Sequence, residues 1–185
     1  MTRTEYVYKP VIAENYFCFA AVLEMILSLY CDNIDQQKIA EYFGVAIPSD
    51  HNVRISNYVQ TDNSTDWGMS IKGYGLNEFF RKLKLSCEEE YIPISTINEL
   101  VFHDFIQEHI LLNRHIVCGY NYNMLHQGDS KKQIGHVSII LAVDSNHVDI
   151  YDPGPKNHGA KTVKIDELYR AIRNYQSGLW IIRNA

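Results

Sequence analysis

The sequence has few features of secreted, membrane-bound or nucleic-acid-binding proteins. It holds only four cysteines, and no two of them have the C-x-x-C spacing, so it is not a disulfide scaffold. It has no dense basic run, and 17 Lys and Arg against 22 Asp and Glu give a net charge of −5. That balance argues against nucleic acid or an anionic membrane as a partner. Neither an H-E-x-x-H motif nor a phosphate-binding glycine loop occurs, so we expect no metal and no other cofactor.

Targeting and membrane-spanning segments are also missing from the sequence. The N-terminus lacks the apolar segment of a signal peptide. The most apolar window runs only from Tyr16 to Tyr30 and contains Glu24, so it is too short to cross a bilayer and predicts a buried helix. We therefore expect a soluble, cytoplasmic protein with reduced thiols. Because the sequence has no membrane-spanning segment, we also expect the protein to act separately from any transporter.

The order of predicted elements indicates an α+β fold. With 185 residues, 46% of them hydrophobic, and no linker-like stretch, we expect residues 1–185 to form one domain. Helix signals dominate the first half and strand signals the second, with a polar, turn-rich region at 46–74. The patterns predict helices at 17–30, 35–43, 76–84, 96–112 and 166–173, and strands at 115–120, 137–143, 147–151, 162–165 and 178–183.

Cys18 stands at the first turn of the most apolar predicted helix. The unpaired N–H groups and partial positive charge of a helix N-terminus favour a thiolate, which is the nucleophilic form of cysteine. By its position alone, however, Cys18 is better explained as a small buried side chain. The remaining cysteines have no acid–base partner nearby in the sequence, so we interpret Cys31, Cys87 and Cys118 as structural thiols.

His136 and Asp152 give Cys18 two plausible partners. His136 begins an apolar strand, and Asp152 follows sixteen residues later, at the end of the return strand. If the hairpin turns at residue 144, His136 lies opposite Asp152, and both side chains share a face with Ser138 and Ile150. The carboxylate then fixes the tautomer of the imidazole. A slip of one residue would break this arrangement.

These segments resemble the papain-like cysteine peptidases, and among them the bacteriocin-processing, C39-like branch. The resemblance is carried by Cys18-Phe-Ala-Ala-Val-Leu-Glu-Met-Ile-Leu, by Gly135-His-Val-Ser-Ile-Ile-Leu and by Tyr151-Asp-Pro-Gly, with support from the helix after Ile34. It implies a papain-like fold, in which N-terminal helices, including a buried nucleophile helix, pack on a C-terminal antiparallel sheet. It also implies a Cys18–His136–Asp152 triad that cleaves a peptide bond in a peptide or protein substrate.

The sequence departs from that family around the cysteine. The family commonly has a glutamine six residues before the cysteine, as an oxyanion donor, and a glycine directly after it; here Ile12 and Phe19 stand there. Asn15 is the nearest side chain that could replace the glutamine as a donor, and its alternative role is to cap the helix. Tyr120 and Tyr122, in and after the strand before His136, are candidates to line a substrate cleft, with simple packing as the alternative.

Two other functions remain open at this point. The same triad could transfer the acyl group to an amine or thiol, because water and an amine attack the same acyl-enzyme. Ile12 and Phe19 favour a third interpretation, in which the chain keeps the fold as a peptide-binding module with weak or no turnover. The sequence does not determine the oligomeric state.

Overall fold

A central antiparallel sheet organises the molecule. The computed structural model describes residues 1–69, 75–126, 133–156 and 158–184. Within them, one sheet contains seven strands: β1 (Thr2–Arg3), β4 (Cys87–Pro93), β5 (His115–Asn121), β6 (Gly135–Val143), β7 (His147–Asp152), β8 (Gly159–Lys164) and β9 (Gly178–Asn184). Six of them lie in the order β4-β9-β5-β6-β7-β8, and the short β1 pairs with β6. A separate parallel pair joins β2 (Val45–Ile47) to β3 (Tyr58–Gln60).

Helices cover both faces of the sheet. On one face, α1 (Cys18–Leu27) and α3 (Gly75–Lys82) pack against the sheet and α2 (Gln36–Phe43) packs against α1. On the other face, α4 (Phe102–Leu111) and α6 (Ile165–Asn174) pack against the sheet. The short α5 (Tyr122–His126) follows β5. Helix α1 is the most enclosed, since every residue from Phe19 to Leu27 except Glu24 is buried. The residues of this helix are apolar on nearly every side because the helix is enclosed on all sides.

A buried histidine fixes the chain that leads to α1. His115 is fully buried, and its Nδ1 and Nε2 lie 2.7 Å from the hydroxyls of Tyr8 and Tyr30. Burial lowers the pKa of His115 to about 3, so the ring is neutral at pH 7. These bonds tie the N-terminal segment to the chain just after α1 and to the start of β5.

Each predicted helix and strand is present, but the structure adds β1, β2, β3, β4 and α5. β4 was not predicted, because its three consecutive glutamates hide the alternation of buried Cys87 and Glu89. Two 3-10 turns, Ile94–Thr96 and Glu99–Val101, precede α4, so that this helix begins at Phe102 rather than at residue 96 as predicted. Helix α6 begins at Ile165, one residue before the predicted start. Residues 70–74, the end of the predicted turn-rich region, lie outside the described residues.

Candidate active site

The β6–β7 hairpin carries both His136 and Asp152. Its observed register pairs Ile140 with Ile150 and Ala142 with Asp149, with a bulge between Ile140 and Ala142. The predicted register, with His136 directly opposite Asp152, is therefore wrong by two residues. Because side chains alternate with a period of two, an even offset keeps His136 and Asp152 on one face, as diagonal neighbours.

The two side chains meet through a short hydrogen bond. Nε2 of His136 lies 2.6 Å from Oδ1 of Asp152. The carboxylate is fully buried, and 11% of the His136 side chain is exposed. With Nε2 engaged by the carboxylate, Nδ1 is the ring nitrogen available for exchange of a proton.

Asp152 has further partners that the sequence did not indicate. The backbone N–H of Gly154 donates to Oδ1 at 2.8 Å, and the Lys161 ammonium donates to Oδ2. Burial alone would raise the pKa of Asp152, but the hydrogen bonds from His136, Lys161 and Gly154 and the charge on His136 hold it well below its usual range. Asp152 is therefore a carboxylate at neutral pH.

The His136 ring is packed between aromatic side chains. The rings of Tyr120 and Tyr122 meet it edge-on, with centroids 5.6 and 5.1 Å away. Tyr120 is fully buried, and its hydroxyl lies 2.9 Å from Oγ of Ser138. The prediction that Tyr120 lines a cleft is therefore wrong, and Tyr122 contacts His136 without being part of the cleft wall described below. Both tyrosines hold the imidazole in place.

Helix α1 brings Cys18 to the cleft that His136 also lines. Cys18 is the first residue of α1, and Phe17, at the N-cap, makes no side-chain capping bond. The preceding segment is held at two points: the Ala13 N–H donates to the Pro153 carbonyl at 2.6 Å, and the Glu14 N–H donates to Oε1 of Gln36 at 2.8 Å. The first contact ties the chain before Cys18 to the residue after Asp152.

The electrostatics of His136 reflect contact with both Asp152 and Cys18. Burial by itself lowers the pKa of His136, but the hydrogen bond and charge of Asp152, together with the neighbouring Cys18 sulfur, raise it from 6.5 to about 9. The imidazolium form is therefore favoured at neutral pH. By contrast, burial is the main cause that raises the pKa of Cys31 and Cys87, and it raises that of Cys118 to about 12.

Cys18 and His136 both open onto a cleft of about 740 Å³. One wall is the chain from Thr65 to Met69, within the region predicted as a variable surface loop; the other includes Trp180 and the chain from Tyr175 to Ser177. The Tyr175 hydroxyl donates to the Thr65 carbonyl at 3.2 Å, which joins the two walls. The cleft therefore gives a substrate access to the Cys18 sulfur.

Asn15 does not enter this cleft. It is exposed, it is absent from the cleft walls, and it does not cap α1, whose N-cap is Phe17. Ile12, at the position of the family's glutamine, is 52% exposed. The nearby amide of Gln36 already donates to the Ile12 carbonyl at 3.0 Å. The structure thus gives neither predicted role to Asn15.

Lys161 and Tyr175 are the site residues that sequence analysis missed. Lys161 carries a recognisable signal, because alternation along β8 places it with Val163 on the half-buried face. A lysine at such a position needs a partner. Tyr175 carries no such signal, since only the packing of α6 against the distant Thr65 segment brings it to the cleft.

Cys18 at a helix N-terminus, the imidazole of His136 and the buried carboxylate of Asp152 are thus gathered beside one cleft. A C39-like peptidase from Bacillus anthracis is similar over 100% of this chain and 98% of its own, with a TM-score of 0.61 at 12% identity. The protein thus has the α+β fold of the C39-like, papain-like peptidases, as the sequence resemblance predicts.

Two further structures share the fold. A double-glycine-motif protease from an AMS/PCAT transporter, solved with its leader peptide, matches 100% of this chain and 97% of its own, with a TM-score of 0.56 at 13% identity. The peptidase domain of Streptococcus ComA, a bifunctional ABC transporter, matches 96% of this chain and 97% of its own, with a TM-score of 0.54 at 14% identity. No protein-family model and no curated protein sequence matches this chain.

The described part of the chain offers neither a bilayer-crossing helix nor a metal site. None of its helices is long and apolar enough to span a membrane. Within the same residues, no group of three or more His, Cys, Asp or Glu side chains could hold a metal ion. His103, His109 and His115 accordingly form no cluster there.

Proposed function

We propose that the protein is a cysteine peptidase that hydrolyses a peptide bond through Cys18, His136 and Asp152, and that residues 1–185 act as one domain. The observation that carries the proposal is the 2.6 Å hydrogen bond between His136 and the buried Asp152, beside an open cleft that Cys18 and His136 both line. The neighbour solved with its leader peptide supports a peptide as the substrate.

The proposed reaction begins with attack of the Cys18 thiolate on the carbonyl carbon, which forms a tetrahedral oxyanion. The backbone N–H of Cys18 stabilises that charge. The His136 imidazolium then donates its proton to the leaving amine as the C–N bond breaks, which leaves a thioester on Cys18. Water attacks the thioester while neutral His136 accepts its proton, and the C–S bond then breaks, which releases the carboxylic acid product and restores the Cys18 thiolate beside the His136 imidazolium. Asp152 keeps the ring oriented in both steps.

The first experiment measures alkylation of each cysteine by iodoacetamide at pH 5.5, with peptide mass spectrometry to locate the label. Cys18 should react at least about 10-fold faster than Cys31, which is partly exposed and serves as the internal control. Replacing His136 by Gln should remove most of that difference, because the thiolate loses its imidazolium partner. Even labelling of the two thiols in the unmodified protein would contradict the site assignment.

The second experiment measures cleavage of a peptide library by the protein and by Cys18→Ala, with mass spectrometry of the products. We expect cleavage by the unmodified protein and none by Cys18→Ala. If the protein is an acyltransferase, addition of glycinamide should give new amide products in addition to those of hydrolysis. Selective alkylation of Cys18 without any cleavage or transfer would contradict the peptidase proposal.

A peptide-binding module with little turnover is the second candidate. Exposed Ile12 and the position of Asn15 outside the cleft favour it, because loss of one oxyanion donor costs about 100- to 1000-fold in rate. Cys18→Ala distinguishes the candidates. In a binding module it should leave peptide affinity intact in calorimetry and change no product.

A further inference from the structure

The Asp152 carboxylate has a second charged partner besides His136. Oδ1 accepts from His136 and Gly154, whereas Oδ2 accepts from the Lys161 ammonium. The carboxylate is fully buried, and 22% of the Lys161 side chain is exposed. An ion pair in such a position has more electrostatic influence than one on the surface.

The sheet brings Lys161 to this carboxylate. In the β7–β8 ladder, Ile150 pairs with Lys161 and Asp152 pairs with Gly159, so Lys161 is the diagonal neighbour of Asp152 on the same face. Glycine leaves open the position directly opposite Asp152. The ammonium also lies 5.8 Å from the centre of the Tyr122 ring, which itself packs against His136.

We propose that Lys161 is a positioning residue of this site, which holds the Asp152 carboxylate with Oδ1 toward His136 and, by neutralising its charge, limits the proton affinity of the imidazole. The role of Lys161 in catalysis rests on the proposed function. Its effect on the charges of Asp152 and His136 does not.

The reason lies in the charge balance of a buried site. A lone carboxylate beside an imidazole in a low dielectric stabilises the imidazolium strongly. Since the imidazolium must give its proton to a leaving amine, excessive stabilisation would slow that step. With Lys161 present, the positive charge of its ammonium offsets the negative charge of Asp152, so the imidazolium is stabilised less.

Other titratable groups around the pair do not replace Lys161. His126, on α5, has Nε2 3.9 Å from Oδ2 of Asp152, but burial and the charge of Lys161 lower its pKa to about 4, so it is neutral at pH 7. Among the described residues, the other groups whose pKa responds to Asp152 or Cys18 are phenols and a thiol that are uncharged at that pH: Cys118, Tyr120, Tyr151 and Tyr175.

The test is an NMR titration of the His136 ring in the full chain, for the parent protein and Lys161→Met. Removal of the positive charge should raise the pKa of His136 by about 1 pH unit. Lys161→Arg should restore the parent value, because it keeps the charge. Lys161→Gln keeps a donor for Oδ2 without the charge, so it should titrate like Lys161→Met; it also serves if Lys161→Met does not fold.

Lys164→Met is the matched control. Lys164 lies on the same strand and loses the same charge, but its side chain is 63% exposed and pairs with Glu167. An unchanged His136 titration in both Lys161→Met and Lys161→Gln, or an equal change in Lys164→Met, would overturn the inference. The measurement needs no substrate, so its result is independent of whether the protein cleaves peptides.

Where cleavage is observed, the alkaline limb of the profile of kcat/KM against pH should move upward in Lys161→Met by the same amount as the titration. A residue with only a structural role would lower the melting temperature without moving that limb.

Discussion

Two buried carboxylates in this protein lie in opposite electrostatic environments. Asp152, at the candidate site, is fully buried and bonded by His136, Gly154 and Lys161. Glu89, on β4, is 5% exposed, and among the described residues neither of its carboxylate oxygens has a hydrogen-bond partner. The pKa of Asp152 is lowered, whereas burial and the neighbouring charge of Glu90 raise that of Glu89 to about 7.

The difference shows that partners, more than burial, determine the charge of a carboxylate. Desolvation opposes ionisation at both positions. At Asp152 two cationic side chains and a backbone N–H overcome it. At Glu89 the fold satisfies only the backbone: Asn77 of α3 donates to its carbonyl at 2.8 Å and accepts from its N–H at 2.6 Å. Asp152 is stabilised in its charged form, whereas ionisation of Glu89 carries a cost in stability.

Asp152→Ala should produce the largest effect. It removes the acceptor that orients His136 and leaves the Lys161 ammonium without its carboxylate, so we expect kcat/KM to fall by about 100- to 1000-fold. Glu89→Gln, which alters an equally buried carboxylate far from the chemistry, should change kcat/KM by less than about 2-fold. Steady-state kinetics on a cleaved peptide measure both; a similar loss in the two variants would remove the functional distinction.

Glu89→Gln should have the next largest effect, and it should be on stability. Because the pKa of Glu89 is raised above its unfolded value of about 4.5, its favourable contribution is complete below pH 4.5 and is lost as pH rises through 7. The variant should therefore be about 2–3 kcal/mol more stable than the parent at pH 8.5 and equally stable at pH 4.5.

Urea unfolding at the two pH values measures this difference. The sign is opposite for Asp152, whose lowered pKa adds stability that is present above pH 4 and lost only as pH falls through its folded pKa. Equal stability of Glu89→Gln and the parent at pH 8.5 would mean that the Glu89 carboxylate finds a partner in solution.

Asn77→Ala should have the smallest effect of the three. It removes two hydrogen bonds to the backbone of Glu89 and should cost about 1–2 kcal/mol of unfolding free energy at every pH between 5 and 9. A cost that varied through pH 7 would show that Asn77 acts on the Glu89 carboxylate itself. Urea unfolding across that range decides between the two.

Local patterns were sufficient for the elements that carry the site. The apolar circumference of residues 19–27 predicts a buried helix, and the alternation around His136 and Asp152 predicts one shared face. Both depend only on the periods of the helix and the strand, which are properties of the local backbone. The fold class followed from the order of these elements together with the quoted motifs.

The register of the β6–β7 hairpin, by contrast, was decided by tertiary structure. Near the turn, Val143 pairs with Val148, and continuing that register along β6 would place His136 and Asp152 on opposite faces. The bulge between Ile140 and Ala142 shifts the register by one residue and returns them to the same face. Sequence reasoning reached the right face through a different register, because it centred the turn at residue 144 instead of between 145 and 146 and did not include the bulge. The first error displaces the pairing by three residues and the bulge returns one, which leaves an even offset of two.

The surroundings of the reacting atoms depended most on packing. The placement of β8, α6 and the chain before α1 determines three features: the contact of Lys161 with Asp152, the position of Tyr175 across the cleft and the position of Asn15 outside it. These contacts join residues distant in sequence, and their geometry depends on the summed packing of the whole sheet. The sequence by itself determined which side chains could react and on which faces they lie, because those are local properties. The tertiary structure alone decided which charges and donors surround them.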